Sequence, residues 1–197
     1  MISTYQIKPA FQKLLKPVLY KLHEVGVTPN ALTLLAVFLS VTMGLILYHN
    51  PSPVMRLIVA FFFLFRMALN ALDGMMATTY SMQSKLGEVL NELGDVISDG
   101  ALYLSLLAFT TKIELVFAFV VLMVINEYTG ILAKVISGKR RYDGPMGKSD
   151  RALVIGVMLF VSFWWNPVFE YLDYVLLMSS ALMILSSFLR IKRCFNK

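Results

Sequence analysis

The sequence predicts an all-α membrane protein in which an interfacial amphipathic helix precedes six transmembrane helices. Composition is the first observation behind this prediction: 58% of the 197 residues are hydrophobic, 15% are charged, and the mean hydropathy is +0.71. So little polar surface cannot cover a water-soluble fold. The second observation is a series of apolar stretches of about 20 residues, the length with which a helix crosses a bilayer. We therefore expect one membrane domain over residues 1–197.

The N-terminal segment, residues 1–30, is the predicted interfacial helix. Its apolar residues recur at the spacing of one helical face, and they are Phe11, Leu14, Leu15, Val18, Leu19 and Leu22. Lysines occupy much of the remaining surface, which favours a helix lying on an anionic membrane surface. Pro17 interrupts the pattern and should either kink the helix or restart it.

The bundle is expected over residues 31–192. Its six predicted spans cover roughly residues 31–49, 54–77, 86–109, 114–137, 151–168 and 171–190. Basic residues concentrate at the N-terminus, in and beside the loop 137–150, and at the C-terminus, so the positive-inside rule places both termini in the cytoplasm. This rule also explains most of the net charge of +6, and we do not expect nucleic-acid binding.

Polar stripes interrupt the second and third predicted spans, on one face of each helix at 100° per residue. The stripe on the second span consists of Arg66, Asn70, Asp73, Gly74 and Ala77. The stripe on the third span consists of Gly87, Asn91, Asp95 and Ser98, with Glu88 and Asp99 at its edge. Because the loop 78–85 is short, we expect antiparallel neighbouring helices whose stripes face each other. The small residues should let the backbones, or a ligand, approach closely.

Facing stripes of this kind have two interpretations. Polar side chains could hold two helices together by hydrogen bonds or extend into the lipid headgroups. Several carboxylates at close range would repel one another, however, unless cations lie between them. Carboxylate and amide oxygens suit Mg²⁺ or Mn²⁺, which commonly act on phosphate substrates. We therefore predict a metal–phosphate site, with structural helix packing as the alternative.

The stretch from residue 70 to residue 95 resembles the signature of the CDP-alcohol phosphotransferase family. That signature is D-x-x-D-G-x-x-A-R, eight residues, then G-x-x-x-D-x-x-x-D. The chain reads Asn70-Ala-Leu-Asp73-Gly74-Met-Met-Ala77-Thr78, eight residues, then Gly87-Glu-Val-Leu-Asn91-Glu-Leu-Gly-Asp95. Every spacing is kept, but asparagines replace two aspartates and Thr78 replaces the arginine. The segment Val27-Thr28-Pro29-Asn30-Ala31-Leu32-Thr33 also resembles the family's sequence before its first span.

The resemblance implies a metal-dependent transferase of phospholipid synthesis, with Mg²⁺ or Mn²⁺ as cofactor. Such an enzyme moves a phosphatidyl group from a CDP-linked lipid such as CDP-diacylglycerol to an alcohol and releases CMP. It implies metal binding at Asn70, Asp73, Asn91 and Asp95, with Asp95 also taking the proton from the alcohol. We expect a homodimer in contact with membrane lipids, integral to a bacterial inner membrane. A relative that binds CDP-lipid or nucleotide without turnover, and a small transporter, are the alternatives.

The two asparagines leave the metal site short of negative charge. Either the site holds one ion, or a nearby carboxylate, Glu88 or Asp99, compensates. Glu88 is the better candidate because it lies about 20° from Asp95 around the helix. Glycines at 74 and 87, with Ala77 and Thr78, are expected to adjoin the nucleotide. Phosphate contacts are expected from Arg66, Lys148 and Arg151. For Arg66 an ion pair with Asp73 or Glu127 is an equal alternative. The basic loop weakly favours a phosphorylated acceptor alcohol.

Overall fold

The computed structural model describes residues 8–195, with side chains from residue 11 onward. The α-helices in this range are α1 (Lys8–Glu24), α2 (Pro29–His49), α3 (Pro53–Thr79), α4 (Lys85–Leu104), α5 (Ile113–Ser137), α6 (Lys148–Val161) and α7 (Leu172–Phe195). Two 3₁₀-helices complete the helical segments, at Ser105–Phe109 and Asn166–Tyr171. The expected all-α class is confirmed.

Side-chain caps define where the helices around the polar stripes begin. The hydroxyls of Thr28, Ser52 and Ser84 each accept a hydrogen bond from the backbone N–H three residues later, at 3.2, 3.4 and 2.9 Å. These bonds satisfy donors that have no partner within the helix. Prolines stand at the first position of α2 and α3, where the missing N–H costs nothing.

Within the part of the chain that the structure describes, four helical segments are long and apolar enough to cross a membrane. They are Pro29–His49, Pro53–Thr79, Ile113–Ser137 and Asn166–Phe195. The six predicted spans correspond to α2 through α7, but α4 carries several charged residues and α6 has only 14 residues. The protein is thus an integral membrane protein, and membrane crossing by α4 and α6 stays a prediction.

The third and fifth predicted spans end earlier as α-helix than the apolar pattern suggested. The hydroxyl of Ser105 donates to the Leu102 carbonyl, and that of Ser162 donates to the Leu159 carbonyl, both at 2.6 Å. Such local bonds compete with the regular helical pattern. The backbone forms a 3₁₀-helix from Ser105 onward and a turn from Ser162 onward.

The apolar stripe of α1 divides between two environments. Phe11, Leu15, Leu19 and Leu22 pack against α2 and α3, in a cluster that includes Leu72. The remaining members of the stripe, Leu14 and Val18, are exposed. Helix α1 continues through Pro17 without restarting. Part of the surface expected to face lipid therefore packs on the bundle instead.

Helix α4 packs more extensively on α2 than on α3, which differs from the expected close pairing of α3 with α4. An added Cβ at Gly87 would lie 2.8 Å from Asn30 Oδ1, and one at Gly94 would lie 2.9 Å from Val37 Cγ2. Because residue numbers rise together along this contact, α2 and α4 run parallel. The small residues of α4 thus permit packing on α2, and a gap remains between α3 and α4.

The tightest point of the α2–α4 contact is Gly44, where an added Cβ would overlap the Ala101 carbonyl. We expect Gly44→Ala to destabilise the protein by about 1–3 kcal/mol, the usual cost of overpacking. Thermal unfolding in detergent measures this loss. Gly100→Ala is the matched control, because its added Cβ would meet no atom within 4 Å. Equal stability of the two variants would contradict the observed packing.

Candidate functional site

A cavity of about 300 Å³ lies where α2 and α4 begin and α3 ends. We call it the motif cavity, because six of the predicted site residues line it. Its lining residues are Pro29, Asn30, Thr33, Asp73, Gly74, Ala77, Met82, Gln83, Ser84, Gly87, Glu88 and Asn91. Residues of three helices and of the loop between α3 and α4 thus enclose one space, in which members of both predicted stripes come together.

Helix α3 contributes a polar wall to the motif cavity, and part of this wall borders open space. Asp73 is buried, and its Oδ2 accepts a hydrogen bond from the Thr33 hydroxyl at 2.9 Å. An added Cβ at Gly74 would meet no atom within 4 Å, so this backbone segment borders open space. The absence of a side chain at Gly74 therefore leaves room for a ligand beside the Asp73 carboxylate.

Asp95 belongs to a second polar cluster next to the motif cavity. Its Oδ1 accepts a hydrogen bond from Asn70 Nδ2 at 2.9 Å and another from the Lys148 ammonium. Arg66 NH2 lies 3.6 Å from the same oxygen and donates to the Asp95 main-chain carbonyl at 3.3 Å. An ionised aspartate at position 70 could not donate this bond. Asn70 therefore orients Asp95 in a way that the family's usual residue could not.

Arg66 is completely buried, and besides its contact with Asp95 it forms a closer ion pair with Asp99 on α4. The expected pairs with Asp73 or Glu127 are wrong. Asn70 meets Asp95 and Arg66 meets Asp99, so residue numbers fall along α4 as they rise along α3. The two helices are therefore antiparallel, and Arg66 lies one turn deeper in the bundle than Asn70.

Arg151 is fully buried in a layer of charged side chains below Asp95. Its NH2 donates to Glu127 Oε1 at 2.7 Å and lies 3.6 Å from Asp99 Oδ2. Its NH1 donates to Asn126 Oδ1 at 3.3 Å and to the Met146 carbonyl at 3.0 Å. A guanidinium held by this many partners fixes α6 against α4 and α5 rather than contacting a ligand directly.

The charged layer extends toward the loop after α5 through residues that the sequence analysis did not single out. Arg140 donates to Glu127 Oε2 at 2.9 Å and pairs with Glu92. Arg190 on α7 donates to the main-chain carbonyls of Asn126 and Asp143. Glu92 is three residues before Asp95, so helical spacing could have drawn attention to it. Nothing in the pattern indicated Arg190.

Two other predicted residues lie at the edge of the motif cavity. The Thr78 hydroxyl donates to the carbonyls of Gly74 and Met75 at 2.9 and 3.1 Å, within its own helix. Glu88 lines the motif cavity, but its half-exposed carboxylate pairs with Lys134 on α5. The structure thus brings Glu88 within the site and leaves Thr78 satisfied by local bonds.

The oxygen donors fit one divalent ion better than two. Among the described residues, no cluster of three or more Asp, Glu, His or Cys side chains has the geometry to hold a metal ion. Asp73, Glu88 and Asn91 nevertheless line one cavity, and hard oxygen donors of this kind suit Mg²⁺ or Mn²⁺ completed by water and phosphate. Asn70 and Asp95, also predicted as ligands, are hydrogen-bonded to each other, and Asp95 also pairs with Lys148.

Comparisons with known proteins agree on one family. The family model of CDP-alcohol phosphatidyltransferases matches residues 26–191. Inner membrane protein YnbA of Escherichia coli (strain K12) is 42% identical over 188 residues, which are 92% of this chain and 94% of that protein. Phosphatidylinositol phosphate synthase of Mycobacterium marinum is 30% identical over 190 residues, covering 89% of this chain and 78% of the relative.

Two crystal structures of Mycobacterium tuberculosis phosphatidylinositol phosphate synthase have the same fold. The structure with CDP-DAG bound has a TM-score of 0.76 and 23% sequence identity, over 93% of this chain and 94% of that chain. The structure in complex with manganese and citrate has the same TM-score and identity, over 91% and 88% of the two chains. The helical arrangement described above is therefore shared with a solved enzyme.

Proposed function

Because the chain belongs to the CDP-alcohol phosphatidyltransferase family, we propose that it transfers a phosphatidyl group from CDP-diacylglycerol to an alcohol and releases CMP. The protein is an enzyme, a membrane-bound transferase of phospholipid biosynthesis. The observation that carries the specific proposal is the motif cavity, where Asp73, Glu88 and Asn91 come together beside Asp95. A relative whose structure was solved with CDP-DAG supports the choice of lipid donor.

Binding of the donor is proposed at the motif cavity. Asp73, Glu88 and Asn91 would hold one Mg²⁺ or Mn²⁺, whose charge would offset that of the pyrophosphate and of the departing CMP. A relative solved with manganese supports this assignment. Gly74 and Gly87 line this cavity without side chains, and an added Cβ at Gly74 would meet no atom within 4 Å, so its backbone borders the space proposed for the nucleotide. Ala77 completes this side of the cavity, and Thr78, the next residue, would adjoin the nucleotide from outside the lining.

Proton removal from the acceptor is proposed for Asp95. The alcohol oxygen attacks the phosphorus that carries the diacylglycerol group, the bond from that phosphorus to the CMP oxygen breaks, and Asp95 takes the alcohol proton. Oδ1 of Asp95 is occupied by Asn70 and Lys148, whereas Oδ2 has no hydrogen-bond partner among the described residues. We therefore assign Oδ2 as the proton acceptor and Asn70 as a positioning residue.

For the acceptor we infer a phosphorylated alcohol. Lys148 is a quarter exposed beside Asp95, and the loop before it carries Arg140 and Arg141. Ammonium and guanidinium groups are the usual partners of phosphate. The names of the mycobacterial relatives point to an acceptor of this class. Arg66 and Arg151 would act indirectly, because their guanidinium groups are buried among carboxylates.

We also propose six membrane crossings with both termini in the cytoplasm of a bacterium, and a homodimer as in related enzymes. Alternating crossings require α2 to run parallel to α4, and α3 to run antiparallel to α4, as observed. Asn126 contacts Met183 and Ser187, and Arg190 lies farther along both helices near Gly130, so α5 and α7 are parallel as well. The relative named as an inner membrane protein supports this location.

The proposed function is tested by measuring CMP release from CDP-diacylglycerol by the purified protein. Acceptors would include glycerol phosphate, inositol phosphate, serine and unphosphorylated polyols, each with Mg²⁺, Mn²⁺ or EDTA. We expect metal-dependent release with a phosphorylated alcohol and none with EDTA. Saturable CDP binding without release on every acceptor would instead identify a binding protein, and release with serine alone would exclude the proposed acceptor class.

The metal assignment predicts how two substitutions change ion affinity. Asn91→Asp should tighten Mg²⁺ binding, because a negative charge about 4 Å from the ion contributes about 4 kcal/mol for each of the two ionic charges at an effective dielectric near 20. Glu88→Gln should weaken binding for the same reason. Calorimetric titration with Mg²⁺ measures both changes. Asn50→Asp is the matched control, since Asn50 caps the opposite end of α2. A Mg²⁺ affinity that neither the Asn91 nor the Glu88 substitution changes would exclude the motif cavity as the metal site.

A further inference from the structure

A second cavity, of about 560 Å³, opens at the end of the bundle opposite the motif cavity. We call it the distal cavity, and its lining residues are Pro51, Arg56, Ala108, Phe109, Thr110, Thr111, Asn166, Phe169, Glu170 and Asp173. They come from the start of α3, the segment after α4 and the start of α7. Its volume is in the range of roughly 300–1,000 Å³ that is usual for small-molecule sites.

Arg56 is the unusual feature of the distal cavity, because its charge is buried without a carboxylate partner. Its side chain is 5% exposed, and no described Asp or Glu forms an ion pair with it. NH1 donates to Asn166 Oδ1 at 2.6 Å, whereas Nε is buried without any partner. By contrast, Arg66, Arg140 and Arg151 are all paired with carboxylates. Arg190, which also forms no ion pair with a described residue, instead donates to two main-chain carbonyls. An isolated buried cation is costly unless an anion compensates it.

The walls around Arg56 are rigid and well defined. Its guanidinium carbon lies 5.3 Å from the centre of the Phe169 ring, which stacks on Phe109 at 4.3 Å. Asp173 accepts from the Thr110 hydroxyl at 2.8 Å and pairs with Lys112 at 3.0 Å. These contacts fix Arg56 and one carboxylate in the lining of the distal cavity.

Glu170 supplies the cavity with a negative charge that has no ion pair among the described residues. Arg56 and Glu170 are thus an unpaired cation and an unpaired anion that line the same cavity without contacting each other. A ligand that carries both an anionic and a cationic group would satisfy both side chains at once. Charge complementarity therefore points to a zwitterion rather than a simple anion.

Aromatic side chains around this end of the bundle indicate where such a ligand comes from. Exposed tyrosines and tryptophans surround the distal cavity at Tyr48, Trp164, Trp165, Tyr171 and Tyr174. Belts of Trp and Tyr mark the depth of the lipid headgroups in membrane proteins. The distal cavity consequently opens at headgroup level, where zwitterionic phospholipids are the abundant ligands of matching charge.

We propose that the distal cavity binds the headgroup of a zwitterionic phospholipid with a primary amine, as in phosphatidylethanolamine. The phosphodiester pairs with Arg56, and the ammonium group pairs with Glu170. This lipid is distinct from the CDP-linked donor, and its site lies at the other end of the bundle. The proposal rests on the distal cavity alone and is independent of the reaction proposed at the motif cavity.

Native mass spectrometry of the purified full-length protein in detergent tests this proposal. Phosphatidylethanolamine is compared with phosphatidylglycerol, which lacks the ammonium group, and with phosphatidylcholine, whose quaternary ammonium cannot donate hydrogen bonds. We expect phosphatidylethanolamine to bind on the order of tenfold more tightly than either, as for the loss of one charge-assisted hydrogen bond. Equal binding of the three lipids would overturn the proposal.

Substitutions locate the binding and separate it from folding. Arg56→Gln should weaken phosphatidylethanolamine binding on the order of tenfold or more, and Glu170→Gln should remove the preference over phosphatidylglycerol without affecting the fold, since Glu170 is exposed. Glu114→Gln removes an exposed carboxylate outside the cavity and should change nothing. A preference that survives Glu170→Gln, or is lost equally in Glu114→Gln, would overturn the assignment.

Two further measurements distinguish other sources of the signal. Asp73→Ala, at the motif cavity, should leave phosphatidylethanolamine binding unchanged, whereas its loss would place the lipid at the opposite end of the bundle. Soluble glycerophosphoethanolamine carries the same charges without acyl chains. We expect it to compete only weakly, because the lipid also gains from its position in the membrane or micelle. Competition at equal affinity would assign the cavity to a soluble ligand and overturn the lipid proposal.

Discussion

Asp95→Asn is expected to lower the rate of CMP release about 10²–10⁴-fold, the usual contribution of a general base. An asparagine keeps the size of the side chain, but it cannot accept the alcohol proton. The hydrogen bond that Lys148 donates to this side chain also becomes weaker. CDP binding should persist, because Asp73, Glu88 and Asn91 remain in the motif cavity. Single-turnover assays of CMP release, together with CDP binding by calorimetry, measure the two effects separately.

Glu24→Gln is the control for this experiment. Glu24 ends α1 on the same end of the bundle, and its carboxylate is exposed. Its loss changes the net charge by the same amount and should leave turnover unchanged. If Asp95→Asn retained normal turnover, Asp95 would be a structural partner of Arg66 and Lys148, and another group would have to take the proton.

The second large effect is expected on stability, from Glu127→Gln. This change removes the charge that pairs with buried Arg151 and with Arg140. Loss of one partner from a buried ion pair leaves an uncompensated charge and typically costs about 3–5 kcal/mol. Because Asp99 lies 3.6 Å from Arg151 and supplies partial compensation, we expect the lower end of this range. Reversible unfolding in mixed detergent micelles measures the loss.

Glu88→Gln provides the comparison for an exposed pair. Glu88 and Lys134 are each about half exposed, and such pairs contribute about 0–1 kcal/mol. A double variant, Glu127→Leu with Arg151→Met, should recover much of the stability, because replacing a buried pair by apolar residues is often neutral. Recovery would attribute the loss to charge, whereas a double variant less stable than Glu127→Gln would attribute it to hydrogen bonding and packing.

The local parts of the structure followed from the sequence because short-range rules decide them. The length of the apolar stretches predicted the helices to within a few residues, except where Ser105 and Ser162 bond to the preceding turn. The spacing of residues 70 to 95 placed Asp73, Gly74, Asn91 and Glu88 on two facing surfaces. Helical periodicity alone determines which side chains share a face.

Contacts between helices could not be read from these patterns. Arg66 could reach several carboxylates, and only the depth of α4 relative to α3 selected Asp99 over Asp73 and Glu127. Thr33 and Asn30 entered the motif cavity because α4 packs on α2 through glycines rather than directly on α3. Because a side chain can reach several ångströms, many partners remain possible until the crossing of the helices is known.

What the sequence by itself determined is the class of protein, its helices, its family and the residue types available for chemistry. The tertiary structure decided which polar and charged groups meet: Asn70 and Lys148 at Asp95, Arg151 at Glu127, and Arg56 at no carboxylate of the described residues. The physical reason is that the two sets of interactions act over different separations along the chain. Hydropathy and capping act within a few residues, whereas hydrogen bonds and ion pairs depend on atoms brought within about 3–4 Å by packing of distant segments.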